Sequence, residues 1–383
     1  MSPIEPLKHF SHQLNSPEKK FASHNIWQRL HIDLPLLAGI VLLTGLGLVI
    51  LYSAGNQSPG MMARQLARLG LAFMAMFIVA QIPPAKLRLW APWLYGVGLS
   101  LLIAVLVIGT IGKGARRWLD LGLFRFQPSE IMKLAIPLFL AWYYQDKPLP
   151  PSKKCLLIGC IALLVPVLLT AKQPDLGTAL MLVTAGVCVL FLAGMQWWII
   201  IGLGALATLF APILWHFMHD YQRQRVLTFL YPERDPLGTG YHIIQSKIAI
   251  GSGGLFGKGW LEGTQAHLHF LPEHATDFIF GVTGEEFGLF GGLVLLAVYL
   301  FIVGRGLYIS SQAQDTFTRL LAGSLSLMFF FSIFINIGMV TGILPVVGLP
   351  LPLVSYGGTS MVTLLAGFGI LMSVNTHRKL LAR

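Results

Sequence analysis

Carboxylates and cations are scarce in this chain, so the places where they gather are the first clue to its chemistry. Residues 270–280 read FLPEHATDFIF, with Glu273, His274, Thr276 and Asp277 running straight into Phe278-Ile279-Phe280. A carboxylate held at such a rim between water and an apolar phase can serve as a general base if its geometry and pKa suit. Helix capping or a salt bridge are the plain alternatives for Asp277. His267, His269, Glu273, His274 and Asp277 also have the ligand types for zinc or manganese. H-x-H followed by E-H-x-x-D matches no metal motif, however, and a solvated loop with several histidines is the simpler reading.

A second cluster reads GKGARRWLDLGLFRFQPSEIMK, residues 112–133. Pro128-Ser129-Glu130 suits the start of a helix, with Pro early and an acid in the first turn. Glu130 and Lys133, three apart, then share a helix face and are close enough to pair. Ionisable groups at membrane depth usually face a cavity and mark function; a structural ion pair is the alternative. Further on, Ile243, Ile244, Ile248 and Ile250 recur at near-helical spacing, which predicts a short amphipathic helix at the interface, stopped by Gly251. The run GSGGLFGKG, residues 251–259, departs from the phosphate-loop pattern at Ser252 and Gly259 and reads as a turn-rich link allowing close backbone approach. LPVVGLPLPLVSYGGTS, residues 344–360, is too rich in Pro and Gly for a regular helix and reads as a rigid, cavity-lining or re-entrant loop. Neither G-x-S-x-G nor H-E-x-x-H occurs, and Ser16-Pro-Glu-Lys19 matches S-x-x-K only in a polar tail.

The elements that must position these residues are membrane helices. The chain is 55% hydrophobic and 11% charged, with mean hydropathy +0.70, which excludes an ordinary soluble globule. Apolar runs long enough to cross a bilayer recur along it. The expectation is an all-α polytopic protein with about ten spans: 34–52, 66–82, 90–111, 131–144, 155–171, 178–194, 197–218, 286–304, 320–343 and 359–374. Residues 1–33 and 375–383 form cytoplasmic tails, 34–374 the membrane domain, and 219–285 a large structured extracytoplasmic loop that begins as an extension of the seventh helix. No cleavable leader is evident. Cys155, Cys160 and Cys188 lie in apolar segments and read as small core residues.

With the N-terminus inside, 14 of the 27 Lys and Arg residues fall in inside segments, which supports both termini lying inside. The rest cluster outside, against that rule: Lys113, Arg116, Arg117, Arg125 and Lys133; Arg223, Arg225, Arg234, Lys247 and Lys258; and Arg64, Arg68 and Lys172. Either they pair with outside acids such as Asp120, Glu130, Asp175, Glu233 and Glu262, or they form an outward site for phosphate or pyrophosphate. The net charge of +11 therefore reflects topology and an anionic ligand, not nucleic acid.

The wording RRWLDLGLFRFQPSE, QPDLGTA, GYHIIQSKIAIGSGGLFGKGW, FLPEHATDFIFGVTGEEFG and GILPVVGLPLPLVSYGGTS resembles the SEDS family (shape, elongation, division and sporulation) over nearly the whole chain. The second and last of the longer motifs are most similar to the elongation members. The resemblance implies a ten-helix glycosyltransferase that polymerises lipid II into β-1,4 peptidoglycan strands at the outer face of the bacterial inner membrane. It implies as partners membrane lipids, a class B penicillin-binding protein and the MreB/MreC/MreD/RodZ elongation complex. It makes Asp277 the essential carboxylate and maps the Q-P-S-E…K motif onto Gln127, Pro128, Ser129, Glu130 and Lys133. The substrate-binding set it suggests is Arg117, Gln127, Glu130, Lys133, Lys258, Glu273, Thr276 and Ser355. One departure stands out: the family usually has His directly before Thr-Asp, whereas here that place is Ala275 and His274 lies one residue earlier.

The chemistry so implied is an inverting displacement, because the donor carries an α-linked pyrophosphate and the polymer is β-linked. Asp277 would take the proton of the acceptor hydroxyl. Arg117, Lys133, Lys258 or a divalent ion (magnesium or manganese) could stabilise the departing pyrophosphate. Two other classes fit a chain of this kind: a lipid II flippase, which would show inverted repeats with paired broken helices, and a non-catalytic scaffold in which Asp277 is dispensable.

Overall fold

The computed structural model describes residues 30–112, 115–120, 125–209, 215–216, 223, 227–231, 239–267 and 273–377. Residues 1–29 and 378–383 of the expected tails, most of the seventh-helix extension, Lys113 and His269 lie outside the described residues.

The chain folds as a helical bundle whose helices are α1 (Leu34–Ala54), α2 (Pro59–Ala80), α3 (Pro84–Ile108), α4 (Pro128–Tyr144), α5 (Lys153–Lys172), α6 (Leu176–Leu192), α7 (Trp197–Leu209), α8 (Thr239–Gly253), the short α9 (Thr264–His267), α10 (Ile279–Ser311), α11 (Thr316–Val340) and α12 (Thr359–Thr376). Seven of them, α1, α2, α3, α5, α10, α11 and α12, are long and apolar enough to cross a membrane. The other three expected spans fall on α4, α6 and α7, of 17, 17 and 13 residues. Sequence chemistry sets several helix starts. The Asp33, Ser58, Asp175 and Asp315 side chains accept the exposed amides of Leu36, Met61, Thr178 and Thr318. Large apolar side chains such as Trp93, Val107 and Phe290 point out of the bundle, as lipid-facing residues do.

The order of packing builds a platform. α2 lies along α12, α10 along α1 and α11, and α4 sits against α3, α6 and α11. The all-α expectation needs one correction. The segment between α3 and α4 forms short antiparallel strands, β1 (Thr110–Gly112), β2 (Ala115–Asp120) and β3 (Arg125–Phe126), in the order β1-β2-β3. The extra feature is a loop too apolar to lie free (Trp118, Leu119, Phe126), which satisfies its backbone locally.

The amphipathic helix does form, but it runs through Gly251 to Gly253. It packs on α10, and a side chain at 253 would press into the Gly284 carbonyl. The glycine there serves helix contact, and the turn comes one residue later, at Gly254 with φ +58. The following link makes the close backbone approach expected of it. Lys258 N and Gly259 N donate to the Glu285 and Glu286 carbonyls, and Leu289 N and Phe290 N donate to those of Gly254 and Leu255. The last two bonds exist because α10 breaks at Gly288 (φ 64, ψ −161), which frees those amides from the helix ladder.

Candidate functional site

Asp277 stands at the head of α10, half-buried. The capping position of that helix is Phe278, which makes no side-chain cap, so the carboxylate is not the N-cap residue. Three consecutive carbonyls hold this segment. Tyr356 N donates to Ala275 O (2.8 Å), Ser355 Oγ to Thr276 O (2.6 Å) and Asn336 Nδ2 to Asp277 O (2.9 Å). The Asp277 carboxylate lies over Gly348, its Oδ2 3.6 Å from the place a Cβ would take there. Gly348 has φ +74, so the turn itself favours glycine there. Phe278 stacks on His242 of α8, with ring centroids 5.6 Å apart.

The residues before Asp277 bind one another. Thr276 Oγ1 donates to Glu273 Oε2 (2.6 Å), and the Glu273 carbonyl accepts from the Thr276 and Phe278 amides. The hydroxyl of Ser355 is likewise engaged, donating to Thr276 O and accepting from Leu351 N (2.8 Å).

The loop from Thr341 to Gly358 is irregular, as its prolines dictate, and is clamped from α2. Gln65, buried, donates to Ser355 O and accepts from Gly357 N. Arg64 Nε donates to the Tyr356 hydroxyl (3.2 Å), and the Arg68 guanidinium lies 4.5 Å from the centre of the Tyr356 ring. Burial pushes the Tyr356 phenol up, but the Arg64 hydrogen bond and the two guanidinium charges outweigh it and leave its pKa below the usual tyrosine value.

Below this loop, Glu130 and Lys133 form the expected pair, with Lys133 Nζ 2.7 Å from Glu130 Oε1. Glu130 Oε2 and Ser129 Oγ are buried without a partner. Both members of the pair line a cavity of about 70 Å³ whose roof is Leu349–Leu353, Ser355 and Gly357. Leu134 and Thr363 line this cavity and also a neighbouring apolar groove of about 500 Å³ between α2, α3, α4 and α12.

Arg117, Gln127 and Lys258 are engaged elsewhere. Arg117 NH1 lies 3.7 Å from Asp175 Oδ1, and its NH2 donates to Pro174 O. Gln127 Nε2 donates to Asp175 Oδ2 (2.9 Å). Lys258 Nζ bonds Glu285 Oε1 (2.7 Å) and Thr264 Oγ1 (3.0 Å), and the same carboxylate accepts from Thr264 N, Thr264 Oγ1 and Gln265 N. Next to it, Glu286 accepts from Ser53 Oγ of α1. For Arg117 and Lys258 the outward cations thus meet acids, the plainer of the two readings. Among the described residues no three His, Cys, Asp or Glu side chains gather as metal ligands. All three cysteines are free thiols.

Sequence reasoning misses Glu285 and Asn336 as parts of the site and does not join Tyr356 to Arg64 and Arg68; Asp175 it offers only as one of several outside acids that could pair with the cations. Asn336 had a signal: it is the one carboxamide in α11, in the run FFFSIFINIG.

Comparison with known proteins places this geometry in company. The model of the FtsW, RodA and SpoVE cell cycle proteins matches residues 28–380. The chain is 52% identical over 370 residues to the peptidoglycan glycosyltransferase MrdB of Escherichia coli strain K12, covering 96% of this chain and 99% of that protein. It is 38% identical over 363 residues to a probable peptidoglycan glycosyltransferase FtsW of Trichlorobacter lovleyi, covering 91% and 94%. A solved structure on the coordination of polymerization and crosslinking by a peptidoglycan synthase complex superimposes with TM-score 0.79 at 37% identity, covering 90% of this chain and 97% of that one. The crystal structure of Thermus thermophilus rod shape determining protein RodA gives TM-score 0.69 at 30% identity, covering 91% and 98%.

Proposed function

The chain belongs to the FtsW/RodA/SpoVE family, and on that premise we propose that it is a peptidoglycan glycosyltransferase polymerising lipid II during lateral wall growth. The observations that support this reading are Asp277, its backbone held by Asn336 and its carboxylate over Gly348, a cavity lined by Lys133 and by Leu349 next to that glycine, and an apolar groove alongside. These are the three things the reaction needs: a base, a cation near the leaving group, and a seat for a polyprenyl tail.

In the mechanism, the acceptor N-acetylglucosamine presents its 4-hydroxyl to Asp277. The carboxylate takes the proton as the oxygen attacks C1 of the donor sugar from the face opposite the pyrophosphate. Charge builds on the departing pyrophosphate, and Lys133, with Arg64 and Arg68 at the rim, offsets it. Glu130 sets the Lys133 ammonium, at 2.7 Å, and the unpartnered Oε2 accepts a donor from the substrate. Glu273 and Thr276 shape the approach to Asp277 from the outer side. Arg117 and Gln127 act through Asp175, Lys258 through Glu285, and Ser355 through Thr276, each fixing a wall of the site. The lipid tail lies in the groove lined by Leu71, Trp90, Phe126 and Val362.

The ten-span arrangement with both termini inside, and Asp277 outside, belongs to the same reading. Asp33, Arg305 and Asn375 meet at one end of the bundle, and Asp277 lies at the opposite end of α10, ahead of its break at Gly288. The partner is a class B penicillin-binding protein, within an MreB/MreC/MreD/RodZ complex. The deciding experiment incubates the purified protein and that partner with lipid II. Glycan strands support the reading, whereas lipid II crossing vesicle membranes without polymer would favour a flippase.

A further inference from the structure

A general base works only if its oxygen is held where the proton will be. Asp277 has only two side-chain bond rotations between its backbone and that position, so the backbone must be fixed first. Two of the three bonds that fix it are made by the irregular loop, through Tyr356 N and Ser355 Oγ, on Ala275 and Thr276. The bond on Asp277 itself comes from elsewhere, from Asn336 in the last turn of α11.

Asn336 is fully buried. Its Nδ2 donates twice, to Asp277 O at 2.9 Å and to Leu349 O at 2.6 Å. Both partners are carbonyl oxygens, so only the amide nitrogen can face them and the orientation of the side chain is settled. Leu349 follows Gly348, over which the Asp277 carboxylate lies. One amide group thus ties the backbone of the acid to the backbone of the surface the acid rests on. Its own Oδ1 is buried without a hydrogen-bond partner. A carboxamide placed in a helix of Phe, Ile and Met, with half of its hydrogen-bonding capacity unused, is costly for packing alone. No apolar residue could supply two donors at this point.

We propose that Asn336 is the positioning residue of the Asp277 base: its amide locks Asp277 and Leu349 in one register, and with it the carboxylate over Gly348. This rests on Asp277 being the base. The test measures lipid II polymerisation by the complex of the full chain with its penicillin-binding partner, for Asn336→Ala, Asn336→Asp and Asp277→Ala. The aspartate variant keeps the volume and replaces the donors by acceptors. For both Asn336 variants kcat should fall about a hundredfold, the scale of a misplaced catalytic group. KM for lipid II should stay within about twofold, because the amide touches no substrate. The thermal midpoint should fall by only a few degrees, roughly the cost of the two stranded carbonyls, with co-purification of the partner retained.

A purely structural role would lower the midpoint and raise KM together, and would overturn the proposal. So would failure of both Asn336 variants to fold, which would make the amide a folding residue. If Asp277→Ala is inactive while both Asn336 variants keep kcat within about twofold, the positioning inference alone falls. If Asp277→Ala stays active, the base assignment falls and takes this inference with it.

Discussion

Lys258→Met deletes the ammonium facing Glu285 and keeps most of the stem's volume. The Glu285 side chain is fully buried, whereas Lys258 keeps 30% exposure. The pair therefore lies between an exposed bridge, ~0–1 kcal/mol, and a buried one whose rupture costs ~3–5 kcal/mol. Glu285 retains Thr264 N, Thr264 Oγ1 and Gln265 N after the change, so the charge stays solvated by donors. A cost of about 2 kcal/mol follows, or roughly a 30-fold rise in local opening at about 1.4 kcal/mol per decade. The Thr264 and Gln265 amides, 2.9 and 3.1 Å from Glu285 Oε1, report that opening directly. In hydrogen exchange read by mass spectrometry, residues 258–265 should exchange about 30-fold faster, with α11 unchanged. Unchanged exchange combined with a selective rise in KM for lipid II would refute the argument, because Lys258 would then face the substrate and not Glu285.

Asp33 is buried, accepts two bonds from Arg305 (3.1 and 2.7 Å) and one from Asn375 (2.6 Å), and ties α1, α10 and α12 together. Asp33→Ala should lower the stability of the purified protein by about 3 kcal/mol, seen as a lower thermal midpoint, because it strands a largely buried guanidinium. Gly288→Ala forces a side chain into a backbone region close to glycine's alone, with its Cβ 2.7 Å from the Leu255 carbonyl carbon. A loss of about 1–3 kcal/mol from strain is expected in the same measurement. His31 stacks on His377 with ring centroids 3.7 Å apart, and burial, with the neighbouring imidazole, holds the His31 pKa below the usual histidine value. The unfolded chain therefore binds that proton first, and stability is lost as pH falls below about 6.5. The midpoint should drop on acidification from neutrality, and less so in His31→Gln.

Much of the fold can be read from apolar run length, because a bilayer demands helices and little else. Glu130 and Lys133 pair because three residues on a helix bring them together, and no tertiary knowledge is needed for that. The breakdown came where contacts span the chain. Nothing near Lys258 announces Glu285, 27 residues later, and nothing near Asp277 announces Asn336, 59 residues later. Such pairings depend on helix packing, which period and composition do not encode. Glycine ends helices, so Gly251 reads as a stop in the sequence, yet the helix continues and Gly253 is the residue that lets α8 approach α10. The strands before α4 were missed because three short, irregular pairings leave no alternating pattern. Ala275, which fills the place where the family pattern has His, is buried and its carbonyl accepts from Tyr356 N.

The central claim is that Asp277 accepts the proton of the attacking hydroxyl. The most direct measurement is the rate of lipid II polymerisation by the purified complex carrying Asp277→Asn, which keeps the shape but replaces one carboxylate oxygen by an amide nitrogen and so removes the base. A loss of at least about a hundredfold in kcat, with lipid II still bound, is the expected result. Near-normal polymerisation by that variant, folded and in its complex, would contradict it.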